Sequence, residues 1–357
     1  MNYIPEIYNS DNTDYSDPLG NLPDIISCKV TEERNGEYYC EMQYPSEGTN
    51  ASLLQVGRIF ATYVQPGGSG GKQPFRIATI EKHLDGTMDI TAYHISYDLG
   101  NVVVMPFTAT GISDAVDGLV SNSVPATDFS IYGYITSSKQ FTVTQPTPLK
   151  SLLIGVEGSL VDTYGGELEY SGWNVYLRSS RGTQKNAQIA YGKNLSSFTE
   201  TDEDGPYDAV VPYAVVDDVV YYLTDTGVCA TAPVVPSSRT YGYPRTITVD
   251  FSDKFDSDST PTQAQLLAVA QSYINGHSTA PTANYSTAFL DLSKIMAETD
   301  QIELCDTIYL TIGQYGVFNM KLKVIKTVYD VLLDEYESVQ IGDKKLTLAD
   351  TLANLTR

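Results

Sequence analysis

One tryptophan, three histidines and four cysteines stand among the 357 residues, and these shortages narrow the chemistry. His83, His94 and His277 form no H-x-H or H-x-x-x-H pattern. The chain therefore does not offer the two histidines and further ligand that converge on the zinc of a metallopeptidase. Lys and Arg number 22 against 44 Asp and Glu, a formal net charge of −22. That balance excludes a general phosphate-backbone binder, which needs a basic surface. No apolar run approaches the roughly 20 residues of a membrane-spanning helix. Met1 to Asp17 is polar and acidic, without the apolar core of a signal peptide. There is no G-x-S-x-G, no P-loop and no G-x-G-x-x-G after a strand.

The cysteines add little chemistry. Cys28 and Cys40 flank Asn35-Gly36, a strong two-residue hairpin signal. Pairing Arg34 with Glu37 sets Cys28 opposite Gln43 and Thr31 opposite Cys40. In that register the two thiols point to opposite faces and should not bridge. Cys229 and Cys305 sit among strand-like apolar residues and read as buried thiols. Free thiols without zinc spacing fit synthesis in a reducing cytoplasm.

What the chain does have is 27 Tyr, 27 Gly and 42% hydrophobic residues, enough for a sizeable core built of strands and turns. A single core stops growing at roughly 250–300 residues, so at least two domains are expected. Residues 1–107 read as antiparallel β and a first barrel. Phe75 to Leu84 and Thr87 to Ser96 pair around Asp85-Gly86, placing Phe75, Ile77, Met88, Ile90, Ala92 and His94 on one face. The same pairing sets His94 opposite Ile77 and Lys82 opposite Asp89. His94 reads as a core histidine, His277 as a solvated one. Residues 108–194 read as an accessory α+β unit, with helices at Ser113 to Val120 and Pro148 to Val161, the second capped by Thr147. Residues 195–345 read as a second β-barrel with an inserted helix, 261–275, opened by a capping box at Thr260-Pro-Thr-Gln263. The alternation in the last long strand slips at Ile325, which predicts a bulge. Residues 346–357 read as a short helical tail. The fold class is thus mainly β with α+β: two small barrels and accessory units.

Three acidic clusters, Asp11/Asp14/Asp17, Glu200/Asp202/Glu203/Asp204/Asp208 and Asp250/Asp253/Asp256/Asp258, lack the EF-hand pattern and read as solvated loops. Carboxylate pairs for glycoside hydrolysis need only spatial proximity, so that possibility stays open. The loop Gln65 to Gly71 contains Gly-Gly-Ser-Gly-Gly and no apolar anchor. It predicts a mobile segment that orders against a neighbour. No catalytic, cofactor-binding or metal-binding residue is assigned.

More specific are the blocks Gly71-Lys-Gln-Pro-Phe-Arg-Ile77, Ile80-Glu-Lys82, Asp85-Gly86 and Thr91-Ala-Tyr-His-Ile-Ser-Tyr-Asp-Leu99. With Gly165-Gly-Glu-Leu-Glu169, Arg181-Gly182, Ile189 to Leu195 and Tyr336 to Leu355, they run in order along the chain. This pattern resembles the N-terminal region of the prophage tail-associated lysin, or prophage endopeptidase tail, family. The resemblance implies a fold similar to the central hub of a contractile-phage baseplate. It implies a homotrimer of paired barrels that closes the distal tail tube of the virion, docked on the distal tail protein ring and other tail-tip or tape-measure components. The hub takes part in host attachment and DNA passage. In longer members a hydrolase follows this region, and the resemblance places none within these residues. No cofactor and no stable nucleic-acid binding are expected, and the inner face of such a ring is expected to be acidic or neutral. The alternative is that −22 only solvates the outside. Two further readings remain: a tail-associated cell-wall hydrolase, and a host-glycan-binding module using the abundant Tyr.

Overall fold

The computed structural model describes residues 4–156, 158–190, 195–203, 207, 209–224, 235–236, 245–256, 259–276, 282–289, 302–313 and 317–342. Cys229, His277 and the expected tail helix 346–357 lie outside them. The chain divides into two compact units, 1–199 with 285–344, and 200–284 with 345–357.

The first unit is built on a long antiparallel sheet that joins both ends of the sequence. Its strands run Leu195–Glu203, Thr282–Phe289, Glu335–Gly342, Val317–Asp330, Ser27–Glu33, Tyr38–Pro45, Thr87–His94, Lys72–Lys82, Ile59–Tyr63, Glu6–Tyr8 and Gly20–Asn21. Thr307–Ile312 adds to Val317–Asp330 and pairs in parallel with Gln184–Ala190. The fold is mainly β, as expected. Among the described residues the strand pairing does not close into a barrel. The inward side is filled by large side chains such as Tyr8, Phe60, Phe75, Ile90 and Tyr329.

Both expected hairpins form, each with a three-residue turn instead of two. Glu33 faces Glu37 around Arg34–Gly36, with Asn35 in the left-handed region at φ 54°. The register becomes Cys28 opposite Met42 and Val30 opposite Cys40. One residue in the turn reverses the face assignment, so the two thiols lie on the same buried face, with sulfurs 3.6 Å apart and unbridged. The same change turns Glu32 inward beside Tyr38. In the second hairpin the turn is Leu84–Gly86, closed by His83 N–H donating to the Thr87 carbonyl at 2.9 Å. Lys82 therefore faces Met88, and Glu81 faces Asp89. A bulge between Ile77 and Thr79 restores the phase. The expected inward set, Phe75, Ile77, Met88, Ile90, Ala92 and His94, is buried, with His94 opposite Phe75. The bulge at Ile325 is also present, between Val324 and Lys326.

The middle segment carries the Ile112–Ser121 helix and a three-stranded sheet of Ser130–Tyr134, Asn174–Arg178 and Glu167–Ser171. The helix expected from Pro148 to Val161 is broken. Leu149–Leu153 ends before Gly155, whose φ of 102° no right-handed helix accepts, and Leu160–Tyr164 restarts with Ser159 as its side-chain cap. Pro148 takes the cap position assigned to Thr147 and supplies no side-chain bond.

In the second unit, Ala209–Val216 is flanked by Val219–Tyr222 and Val235–Pro236, antiparallel, and by Thr246–Asp250, parallel. One face of this sheet meets the Gln263–Gly276 helix through Val210, Ala214, Val249, Leu266 and Ala270. The capping box is real but two residues later than expected. Thr262 N–H donates to the Gln265 Oε1 at 2.9 Å, and Gln265 N–H donates back to the Thr262 hydroxyl at 3.3 Å. Gln263 is engaged elsewhere, accepting from Thr224 N–H at 2.6 Å and donating to the Tyr222 carbonyl at 2.9 Å.

A close backbone crossing holds the first unit together at Gly182. A Cβ there would stand 2.1 Å from the carbonyl carbon and oxygen of Cys305. Gly182→Ala is expected to lower stability by about 1–3 kcal/mol, the range for an unaccommodated core atom. Chemical denaturation followed by tryptophan fluorescence measures it, and an unchanged midpoint would contradict the crossing.

Candidate functional site

The polar groups of the first unit converge where its N-terminal hairpin, middle segment and C-terminal strands meet. The central side chain is Glu167, 6% exposed. Its carboxylate accepts from the Lys323 ammonium and from Arg181 N–H at 2.8 Å, with the Arg34 guanidinium 3.7 Å away. Burial alone would raise its pKa. The hydrogen bonds from Lys323 and Arg181 N–H, with the charges of Lys323 and Arg34, hold it below the ordinary carboxylate value instead. Beside it, the tip residue Asn35 donates to the Gly166 carbonyl at 3.0 Å and accepts from Leu168 N–H at 2.8 Å. Gly166 must be glycine there, because φ is 95° and a Cβ would lie 2.4 Å from the Arg178 carbonyl oxygen. Asp306, 2% exposed, accepts from Thr183 N–H at 2.8 Å and Glu303 N–H at 2.9 Å, with Lys185 3.5 Å away.

Next to this clasp lies a polar cavity of about 160 Å³ lined by Glu32, Tyr38, Gln73, Tyr170, Arg181 and Glu303, among others. Arg181 reaches the Glu32 carboxylate at 2.5 Å. Glu169, also on the wall, accepts from Arg178. Glu32 and Glu169 are each tied to a guanidinium, an arrangement that fixes position and leaves neither as a free proton donor, whereas Glu303 accepts from the Ser69 hydroxyl at 3.1 Å.

His94 sits beneath the cavity, fully buried and stacked on Tyr38 with centroids 4.4 Å apart. Ser96 N–H donates to its Nδ1 at 3.2 Å, so Nε2 carries the proton and faces the Gln73 Oε1 at 3.4 Å. Burial, then the charges of Lys150 and Arg181, push its pKa well below 6.5. It is a satisfied core histidine. Among the described residues, Lys150 has no carboxylate partner in contact. Its ammonium lies 4.6 and 4.3 Å from the Tyr97 and Tyr170 ring centres and 3.1 Å from the Tyr170 hydroxyl. Burial lowers its pKa to about 8, and the ring faces return part of the lost hydration.

The other sequence candidates disperse. His83 pairs with Asp89 at the surface, 2.9 Å away. Burial raises the Cys40 thiol well above 9 and Cys305 to about 12, so neither is a nucleophile at neutral pH. Asp14 accepts from Ser16 N–H, and Asp250 caps Ser252. No group of three or more potential ligands converges among the described residues. The Gln65–Gly71 loop is not the free segment expected. Pro66 is buried, Gly67 N–H donates to Asp334 at 2.9 Å, and the Ser69 hydroxyl donates to Glu303 at 3.1 Å. Its anchor comes from residues more than 230 positions away, which local composition does not reveal. Lys150, Glu32 and Asp306 carried no sequence signal, since each gains its role only from remote partners.

Two titrations follow. The depressed Glu167 pKa means the unfolded state takes up a proton first as pH falls. The stability it confers is present above about pH 4.5 and is lost as pH falls through its lower folded value. Glu167→Gln is expected to cost about 2–3 kcal/mol at pH 7 and to flatten the acid limb, read from urea midpoints between pH 3 and 7. Lys150 behaves oppositely. Between its folded value near 8 and the unfolded value of about 10.4, the unfolded state holds the extra proton, and stability rises with pH. Lys150→Met is expected to remove a rise of roughly 1–3 kcal/mol across that window. A wild-type and variant difference that stays constant from pH 7.5 to 10.5 would contradict this.

Residues 183–352 match the prophage endopeptidase tail family. That stretch includes the Ile189 to Leu195 block and most of the Tyr336 to Leu355 block, while the Gly71 to Leu99 and Gly165 to Glu169 blocks precede it. No curated protein sequence matches. Among solved structures, the fold is similar to prophage tail protein gp18 from Listeria monocytogenes EGD-e, with a TM-score of 0.60, 12% identity, and 99% of this chain and 98% of that chain covered. It is also similar to the tail protein from Neisseria meningitidis MC58, at 0.59 and 8%, covering 98% and 99%. The prophage MuSo2 43 kDa tail protein from Shewanella oneidensis gives 0.58 and 9%, covering 99% and 100%. The chain thus carries the sequence pattern of the prophage endopeptidase tail family over residues 183–352, on a fold shared with prophage tail proteins along nearly its whole length.

Proposed function

We propose that this chain is a structural component of a phage or phage-derived tail, serving as a hub at the tail tip. It forms a homotrimer that closes the distal tube, docks on the distal tail protein ring and adjoins other tail-tip or tape-measure components. The observation that carries this reading is the fold shared over 98–99% of the chain with three tail proteins. The finer architecture it requires is two small barrels per subunit, so that three subunits present six to a hexameric tube. The clasp at Glu167 supports a structural role, because its charged groups are spent on joining segments. The guanidinium-bound Glu32 and Glu169 favour it over the hydrolase reading.

Sedimentation or light scattering of the purified chain is expected to give three times 39.1 kDa, or to do so once the distal tail ring is added. A monomer under both conditions would overturn the hub. Release of fragments from bacterial peptidoglycan, which Glu32→Gln abolishes, would replace it with the hydrolase. Three copies at −22 each are expected to leave duplex DNA unretained at physiological salt, because an acidic or neutral inner face would offer no Lys or Arg to release counterions.

A further inference from the structure

The central strand of the second unit reads Ala-Val-Val-Pro-Tyr-Ala-Val-Val from Ala209 to Val216. Apolar residues on both alternating faces are the mark of a strand covered on both sides. Among the described residues only one face is covered. Val210, Pro212, Ala214 and Val216 are buried on the side that carries the helix. On the other side, Val215 faces Val220 and Tyr213 faces Tyr222 across the Val219–Tyr222 strand. Val215 is 39% exposed, Val220 55% and Tyr222 52%. This strand lies at the sheet edge among the described residues, and no Lys or Pro within it blunts that edge. The Gln263 amide closes only its end, at Tyr222 and Thr224.

The charges around this face say what would cover it. Asp217 and Asp218 form the turn at one end, both at positive φ, and Asp250 stands opposite Tyr213 on the neighbouring strand. Residues 200–284 contain twelve Asp and Glu against only Arg239, Arg245 and Lys254. A second copy presenting the same face would bring these carboxylates together, a like-charge arrangement that costs affinity. We propose that the Tyr213, Val215, Val220 and Tyr222 face docks an apolar segment of a different protein, flanked by Lys or Arg that meet Asp217, Asp218 and Asp250. The inference does not depend on the hub reading.

The test uses the full chain and three synthetic peptides, in which Val alternates with Lys, Val with Glu, or Ser with Lys. In 0.15 M salt the Val–Lys peptide is expected to bind at least tenfold more tightly than either of the others. Val220→Ser with Tyr222→Ser is expected to weaken it at least tenfold while circular dichroism stays unchanged, both side chains being half exposed. Equal binding of the Ser–Lys peptide, or undiminished binding by the double variant, would overturn the proposal. So would self-association that the double variant abolishes, since the face would then join copies of this chain.

Discussion

The buried carboxylate of Glu167 is the interaction on which the first unit depends. It lies where the hairpin tip, the middle segment and the strand Val317–Asp330 meet, and it accepts from groups on two of them and lies near a guanidinium on the third. Removing two or three charges from water is costly, and the arrangement is favourable only because hydrogen bonds and opposite charges surround the carboxylate. That requirement fixes the spacing of the three segments. Gly166 and Gly182 follow from it, since each lets one backbone approach another more closely than a Cβ permits.

The surrounding groups are specialised in the same direction. Asn35 completes two backbone bonds of the middle segment, Asp306 gathers two amides, and Arg181 joins Glu32 across the cavity. His94 is held neutral in an aromatic setting. At this junction Glu167, Asp306 and Arg181 hold distant parts of the chain in register. The similarity to three tail proteins at 8–12% identity shows that the fold tolerates wide substitution.

The second unit solves a simpler packing problem, one helix against one sheet face. Its other face leaves valine and tyrosine in water, where alternation would ordinarily place polar side chains. Exposed apolar area of this kind in a stable unit marks a surface for association.

The sequence by itself determined the β-rich class, the positions of most strands, the two N-terminal hairpins, the inward face of the second, the bulge at Ile325 and the tail-family resemblance. These are local properties, set by alternation, turn residues and short motifs. The register of the first hairpin was decided by tertiary structure, because one extra turn residue at Arg34–Gly36 moves every side chain to the other face and only packing selects between them. That choice put Cys28 beside Cys40 and turned Glu32 toward Arg181. The break at Gly155, the anchoring of Gln65–Gly71 by Asp334 and Glu303, and the gathering of charges on Glu167 were likewise invisible. Each joins residues remote in sequence, and the free energy of a buried charge depends on partners that only the folded chain brings within reach.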